Sequence, residues 1–194
     1  MPILNRIAEF HAEMTEWRRD LHAHPELGFE EHRTSDFVAA KLRDFGIEVH
    51  QGLAGTGVIG VLKSGASGPA IGLRADMDAL PIQEKGDHPH RSQNAGKMHA
   101  CGHDGHTTML LGAAKYLAET RNFDGTVHFI FQPAEEKGGG AEVMVKDGLF
   151  DLFPADEIYG MHNMPNLAVG DFALCPGPMM AAIDVFEMTV TSQG

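Results

Sequence analysis

The stretch TVHFIFQPAEEKGGG, residues 126–140, joins an apolar run to a polar, glycine-rich segment. The first six residues combine β-branched and aromatic side chains without a formal charge, which predicts a strand buried on both faces at the centre of a sheet. Two adjacent carboxylates, Glu135 and Glu136, follow where this strand ends. Because ligands of open α/β sheets gather at the carboxyl ends of the strands, the stretch predicts both a fold class and the edge that carries a site.

The rest of the chain alternates helical and β-type patterns around this strand. Apolar residues recur every three or four positions over 4–22, 30–45 and 104–117, and a shorter helix is predicted over 141–145. Further strands are predicted over 47–50, 58–62, 70–74, 157–161 and 185–190, and residues 83–98 have no pattern and are predicted to form a long surface loop. This interleaving predicts an α/β layer architecture around a largely parallel or mixed sheet.

Composition excludes several classes of partner. The formal net charge of −12 argues against nucleic acid and against an anionic membrane surface, both of which favour a basic protein. No segment approaches the ~20 apolar residues that cross a bilayer. The N-terminus has no basic region followed by an apolar run, so we expect a cytoplasmic protein without a secretory signal. Cytosolic thiols stay reduced, which leaves a metal or catalytic role open for Cys101 or Cys175.

The segment MHACGHDGH, residues 98–106, has the strongest chemical signal. Thiolate and imidazole are natural ligands of zinc-like ions, and Cys101 and His103 are spaced so that both can reach one ion from a tight turn. A helix starting near Asp104 would favour that carboxylate at its N-terminus, as a supporting partner of the site. The alternative is a histidine-rich loop with a buried, inert cysteine.

Two other segments place ligand-type residues at strand ends. His162 follows the strand predicted at 157–161, although a single histidine in such a place is more often part of the hydrogen-bonded structure. Asp76 and Asp78, two residues apart, face the same side of an extended chain and could orient histidine ligands or bind metal. An ordinary turn explains the two aspartates equally well, and an isolated Glu-Glu pair is usually solvated.

Other catalytic motifs are missing from the sequence. It contains no His-Glu-x-x-His helix, no Gly-x-Ser-x-Gly elbow and no dinucleotide-binding fingerprint. The glycines at 138–140 do not form a phosphate loop, because no Lys-Ser/Thr follows them. The remaining histidines are interpreted as surface or packing residues: His11, His32, His50, His88, His90 and His128.

These motifs, in this order, resemble the hippurate hydrolase and N-acyl-amino-acid amidohydrolase branch of the co-catalytic metallopeptidases, related to aminoacylases and auxin-conjugate hydrolases. The resemblance covers almost the whole chain. It rests on the segments 18–27, 55–58, 73–81, 98–106, 132–136 and 160–162.

The resemblance implies a three-layer αβα catalytic domain of the zinc-exopeptidase type. It implies that residues 1–185 are the N-terminal part of this domain and that 186–194 begin a lid and dimerisation domain that the chain otherwise lacks. The metal ligands that it implies are Cys101, His103, Glu136 and His162, with Glu135 as general base and Asp78 as a supporting carboxylate. Asp76 is not expected to bind metal directly. A further ligand histidine and an oxyanion-stabilising histidine of the family lie outside these 194 residues.

The function that the resemblance implies is metal-dependent hydrolysis of the amide bond of N-acyl amino acids. Two divalent ions, zinc, manganese, cobalt or nickel, would serve each full-length subunit, which is expected to form a homodimer. Two alternatives remain open at this point. The chain could be a truncated, catalytically incomplete fragment that keeps the fold, or Cys101 could be a nucleophile with His103 or His106 as its base.

Overall fold

In a computed structural model, the described residues are 4–66, 68–136, 138–179 and 186–192. The helices within these ranges are α1 Asn5–Glu9, α2 His11–Ala23, α3 His32–Asp44, α4 His103–Thr120, α5 Gly140–Lys146 and α6 Leu149–Leu152. The strands are β1 Glu48–Leu53, β2 Gly57–Ser64, β3 Ala70–Asp76, β4 Gly125–Gln132 and β5 Glu157–Gly160.

The five strands form one mixed sheet in the order β1-β2-β4-β3-β5. The pairs β1-β2 and β2-β4 are antiparallel, whereas β3 is parallel to both β4 and β5. The strand predicted from residues 126–131 is therefore the central one. Its side chains Phe129 and Phe131 are fully buried, and Ile130 is only 4% exposed. Because β3, β4 and β5 run in the same direction, their carboxyl ends lie at one edge of the sheet.

Apolar side chains on the two faces of the sheet form two separate cores. Phe129 and Phe131 pack with Leu42 of α3 and Leu111 of α4 on one face. On the other face, Ile59 and Ile130 pack with Met144 of α5, and Leu149 and Phe153 complete that core. Alternation of side chains along β4 supplies both cores from one strand. The α/β fold with three αβα layers is thus confirmed.

Two of the predicted elements differ most from the observed ones. The first predicted helix is interrupted at Phe10, where α1 ends and α2 begins, and Phe10 is 3% exposed beside the cations of Arg6 and Lys115. The last predicted strand is wrong over 186–190, which has no regular structure, while Val185 lies outside the described residues. An alternating pattern forms a strand only beside a partner strand, and none pairs with 186–190 in the described ranges.

The chain divides into two units, Pro2–Asn163 and a segment from Met164 that also takes in Met1. The sheet and every named helix belong to the first unit. In the described part of the second unit, 164–179 and 186–192, no helix or strand is present. Among the described residues, no helix has the length and apolar character that crossing a membrane requires.

Candidate metal centre

Three loops at the carboxyl edge of the sheet bring five of the predicted residues together. Cys101 and His103 come from the turn that starts α4, and His162 comes two residues after β5. Glu135 and Glu136 lie in the turn that follows β4. We call these five residues the strand-edge cluster: Cys101, His103, Glu135, Glu136 and His162.

Distances within the strand-edge cluster suit metal ligands. Cys101 Sγ lies 3.4 Å from His162 Nε2. Two ligands of one tetrahedral zinc ion, with bonds of ~2.3 Å to sulfur and ~2.0 Å to nitrogen, are about 3.5 Å apart. One ligand-type atom of each of Cys101, His103 and His162 lies within 4.8 Å of the other two, and the same holds for His103, Glu135 and Glu136.

His103 is the residue that these two groups share, and its Nε2 atom has no hydrogen-bond partner among the described residues. The side chain is fully buried, and Nε2 lies 3.9 Å from a carboxylate oxygen of both Glu135 and Glu136. Glu136 Oε1 is also buried and unpartnered within the described ranges. Buried polar atoms normally find partners. A divalent cation between these atoms would satisfy both, so the residues present fit a metal ion.

Asp78 orients both His103 and Glu136. One carboxylate oxygen lies 3.2 Å from His103 Nδ1, and the other accepts the Glu136 backbone N–H at 2.9 Å. Burial alone would raise the pKa of Asp78, but the His103 and backbone hydrogen bonds outweigh it and lower that pKa. Burial likewise opposes protonation of His103, yet the bond to Asp78 and the charge of Asp76 raise its pKa above the ordinary value. Asp78 therefore stays ionised and holds His103 Nε2 toward the glutamates.

Asp76 lies beside His103 and is linked to His106, for which the sequence predicted a role only as the base of a nucleophilic Cys101. His106 Nδ1 donates to Asp76 at 2.6 Å, Arg74 donates to the second Asp76 oxygen at 2.7 Å, and that oxygen is 3.6 Å from His103 Nε2. Burial would raise the pKa of Asp76, but these neighbours lower it to about 2. The backbone N–H of Asn163 donates to His106 Nε2 at 3.0 Å, so His106 connects the segment after β5 to the segment after β3.

The Cys101 thiol lies in a strongly anionic environment. Burial, together with the charges of Glu136 and Glu135, raises its pKa to about 12. A nucleophilic cysteine needs the opposite, a lowered pKa. His103 bonds to Asp78 and His106 bonds to Asp76 rather than to the thiol, so the geometry disfavours either of these two histidines as the base of a nucleophilic Cys101.

Backbone geometry explains why a glycine, Gly102, lies between Cys101 and His103. Gly102 has φ +89°, and a Cβ at this position would collide with the Asn163 side chain. Only glycine fits easily between Cys101 and His103. Asp104, predicted as a supporting partner of the site, instead pairs with His22 at 2.8 Å and Arg18 at 3.2 Å.

Glu31 is a contributor that the sequence did not reveal. Its carboxylate is fully buried, accepts the Thr56 hydroxyl at 2.6 Å and accepts the backbone N–H of Ala134 at 2.8 Å. Ala134, which precedes Glu135, has φ +49°, an uncommon value for a residue other than glycine. Glu31 thus anchors the strained residue that aims the glutamate turn. Glu31 is distinguished only by the burial of its carboxylate, and burial is not visible in a sequence.

This arrangement defines a class, that of α/β proteins with ligand-type imidazole, thiol and carboxylate side chains gathered at the carboxyl edge of the sheet, as in metal-dependent hydrolases. A family model, peptidase family M20/M25/M40, matches residues 72–193. The chain belongs to this family.

Curated relatives and solved structures agree with this assignment. The chain is 50% identical over 194 residues to a hippurate hydrolase of Campylobacter jejuni, covering all of this chain and 50% of the relative. It is 46% identical over 178 residues to an N-acetyl-L-cysteine deacetylase of Bacillus subtilis, covering 91% of this chain and 42% of the relative. The chain thus spans about half the length of these curated relatives.

A crystal structure from Bacillus subtilis, described as a dinuclear metal binding peptidase from the M20 family, superimposes with a TM-score of 0.79. It is 45% identical and matches 84% of this chain and 46% of its own. The likeness supports both the family and the fold of the sheet.

Proposed function

We propose that the strand-edge cluster holds divalent cations and that the protein hydrolyses the amide bond of small N-acyl amino acids. Cys101, His103, Glu136 and His162 are the proposed ligands, for two ions per full-length subunit. The observation that carries the proposal is the buried Nε2 of His103, which has no hydrogen-bond partner in the described part of the chain and lies 3.9 Å from two carboxylates, in a chain similar to a dinuclear metal binding peptidase.

The thiolate, imidazole and carboxylate donors together suit zinc, cobalt, nickel or manganese. When bound, divalent ions supply Lewis acidity, which polarises the scissile carbonyl and makes a water molecule acidic enough to lose its proton near neutral pH. A substrate of the hippurate type follows from the names of the relatives, as does a homodimer of the whole protein from the resemblance to the family. We propose no nucleic-acid or membrane partner.

Glu135 is the proposed general base. Its side chain is 38% exposed, and in the described ranges its carboxylate has no hydrogen-bonding donor that would hold it as a structural residue. It can therefore accept the proton of the attacking water and then pass that proton to the leaving amine. Asp78 holds His103 in place, and the Glu31 contact with Ala134 aims the turn that carries Glu135.

The direct test compares Glu135→Gln with Glu142→Gln, a control that removes an exposed acid from the nearby helix α5. The first substitution is expected to lower the rate of hydrolysis of hippurate and related N-acyl amino acids by about 10²–10⁴-fold, the usual contribution of a general base. Metal affinity, measured by calorimetry, should remain unchanged in both variants. Near-normal turnover by Glu135→Gln would remove Glu135 from the mechanism.

A chelator separates the metal mechanism from a cysteine nucleophile. Removal of metal should abolish hydrolysis, and added zinc, cobalt or manganese should restore it. Iodoacetamide should leave the metal-loaded protein active, because Cys101 is then a ligand. Inactivation by iodoacetamide together with resistance to the chelator would contradict the proposal.

A further inference from the structure

A second group of imidazoles and carboxylates lies outside the strand-edge cluster. His22 of α2 meets Glu84 and His88 of the segment between β3 and α4, and we call these three residues the loop cluster. Glu84 is 8% exposed and His22 is 5% exposed, although the surrounding segment was predicted to be a surface loop. No sequence pattern connected His22 with Glu84 and His88, which lie far from it along the chain.

The loop cluster has the spacing of ligands around one ion. His22 Nε2 and His88 Nε2 each lie 3.1 Å from Glu84 Oε1, and the three ligand-type atoms lie within 4.8 Å of one another. Nitrogen and oxygen ligands of a tetrahedral zinc ion, at ~2.0–2.1 Å from the metal, are about 3.3 Å apart. His88 Nε2 is buried, yet it is not aligned for a hydrogen bond with any atom in the described ranges.

His22 and Glu84 are each also held in place by a further hydrogen bond. The second ring nitrogen of His22, Nδ1, bonds to Asp104 at 2.8 Å, which directs Nε2 toward Glu84. The second Glu84 oxygen accepts the Ser92 backbone N–H at 2.5 Å. A carboxylate behind a histidine and a hydrogen bond behind a carboxylate are the usual supports of metal ligands in proteins.

A further observation concerns His99, whose ring lies 6.4 Å from that of His22. His99 is 4% exposed, and within the described residues neither of its ring nitrogens has a hydrogen-bond partner. The His90 ring is 4.3 Å from that of His88 and 5.7 Å from that of His22. Four neighbouring imidazoles, two of them beside Glu84, are more nitrogen donors than an ion pair between His22 and its acids requires.

We propose that the loop cluster is a second divalent-cation site, with His22, Glu84 and His88 as ligands. Two imidazoles and one carboxylate favour a borderline transition ion such as zinc, cobalt or nickel over magnesium or calcium. The site would tie the 77–102 segment to α2. Because that segment leads directly into the Cys101–His103 turn, a cation there would hold the turn in place. The proposal is independent of the function proposed for the strand-edge cluster.

Cobalt titration distinguishes the two sites, because only the strand-edge cluster contains a thiolate. Wild-type protein should bind one equivalent of Co²⁺ that adds visible d–d absorption without thiolate-to-cobalt charge transfer. His88→Ala should lose this equivalent, with an affinity at least about 100-fold weaker, and keep the charge-transfer band. The control is His50→Ala, which removes an exposed histidine that has one carboxylate partner, Glu48 at 2.8 Å.

The cobalt titrations give different results for the loop cluster and for the strand-edge cluster. Unchanged cobalt stoichiometry and affinity in His88→Ala would overturn the second site, whatever happens at Cys101. Loss of the charge-transfer band in Cys101→Ser, with the additional equivalent retained, would support it. If His88→Ala failed to fold, Glu84→Gln would serve instead, since it keeps a hydrogen-bond acceptor for Ser92 while weakening the ligand. Normal cobalt binding by folded Glu84→Gln would likewise overturn the site.

Discussion

The strand-edge cluster and the loop cluster use the same side chains on different kinds of backbone. His103, Glu136 and His162 follow or begin regular elements, and Asp78 fixes two of them through hydrogen bonds. In the loop cluster, only His22 belongs to a helix, while Glu84 and His88 lie in a segment without regular structure. We therefore expect the sheet to hold the strand-edge cluster in place even without metal. The positions of the loop-cluster side chains should depend more on a cation bound between them.

The largest difference between the clusters should appear in stability without metal. His103→Ala removes the imidazole between Asp76 and Asp78 and leaves two buried carboxylates without it. Breaking such a buried pair costs about 3–5 kcal/mol. His88→Ala, in a partly exposed position, should cost less than about 1 kcal/mol.

Urea unfolding of both variants in the presence of a chelator measures this difference. Circular dichroism of the folded variants would control for a change of structure before unfolding. Equal losses of unfolding free energy would mean that the sheet does not hold the strand-edge cluster more firmly than the loop holds its own residues.

A smaller effect is expected from the supporting carboxylate of the strand-edge cluster. Asp78→Asn keeps the size of the side chain but weakens the contact with His103 Nδ1, so metal affinity should fall by about 10–100-fold. Asp36→Asn, on the exposed face of α3, is the matched control and should bind metal like the wild type. Calorimetry with Zn²⁺ provides the measurement, and full affinity in Asp78→Asn would show that His103 needs no such support.

The sequence was sufficient for the features that strong local patterns encode. The apolar run at 126–131 predicted the central strand, and the segments at its end and at 98–106 predicted which residues would meet. Parallel strand ends share one edge, so residues distant in sequence could be placed together. The pairing partner of residues 186–190 was not encoded locally, and that predicted strand is wrong.

The loop cluster and Glu31 show what the sequence could not supply. Residues 83–98 have no periodicity, so nothing indicated that Glu84 would be buried against His22. Glu31 looked like an ordinary acid near the start of a helix, yet it is fully buried against Thr56 and Ala134. Contacts of this kind depend on how irregular segments pack, and that packing has no signature of its own in the sequence.

The smallest effect should be a change in how stability depends on pH. Burial raises the pKa of Glu31 above its ordinary value, although bonds from Thr56 and Ala134 oppose this. The folded state therefore holds this proton more tightly than the unfolded state, and Glu31 reduces stability as pH rises from its unfolded pKa through its raised folded pKa. Glu31→Gln mimics the protonated form and should flatten this part of the profile.

Thermal unfolding of Glu31→Gln across pH 4–8 tests this expectation, with Glu30→Gln as the exposed neighbour for comparison. If the stability of Glu31→Gln depended on pH as that of the wild type does, ionisation of Glu31 would carry no cost in the free energy of folding. The anchor of the glutamate turn would then be an ordinary ionised carboxylate.

We propose that four side chains from three loops bind metal beside a glutamate that does not. Crystals of the protein grown with Co²⁺ and measured at the cobalt absorption edge would test it directly. We expect anomalous peaks about 2.0–2.3 Å from Cys101 Sγ and from nitrogen or oxygen atoms of His103, Glu136 and His162, with Glu135 uncoordinated. Cobalt-soaked crystals with no peak at these atoms, or with Cys101 remote from every peak, would contradict it.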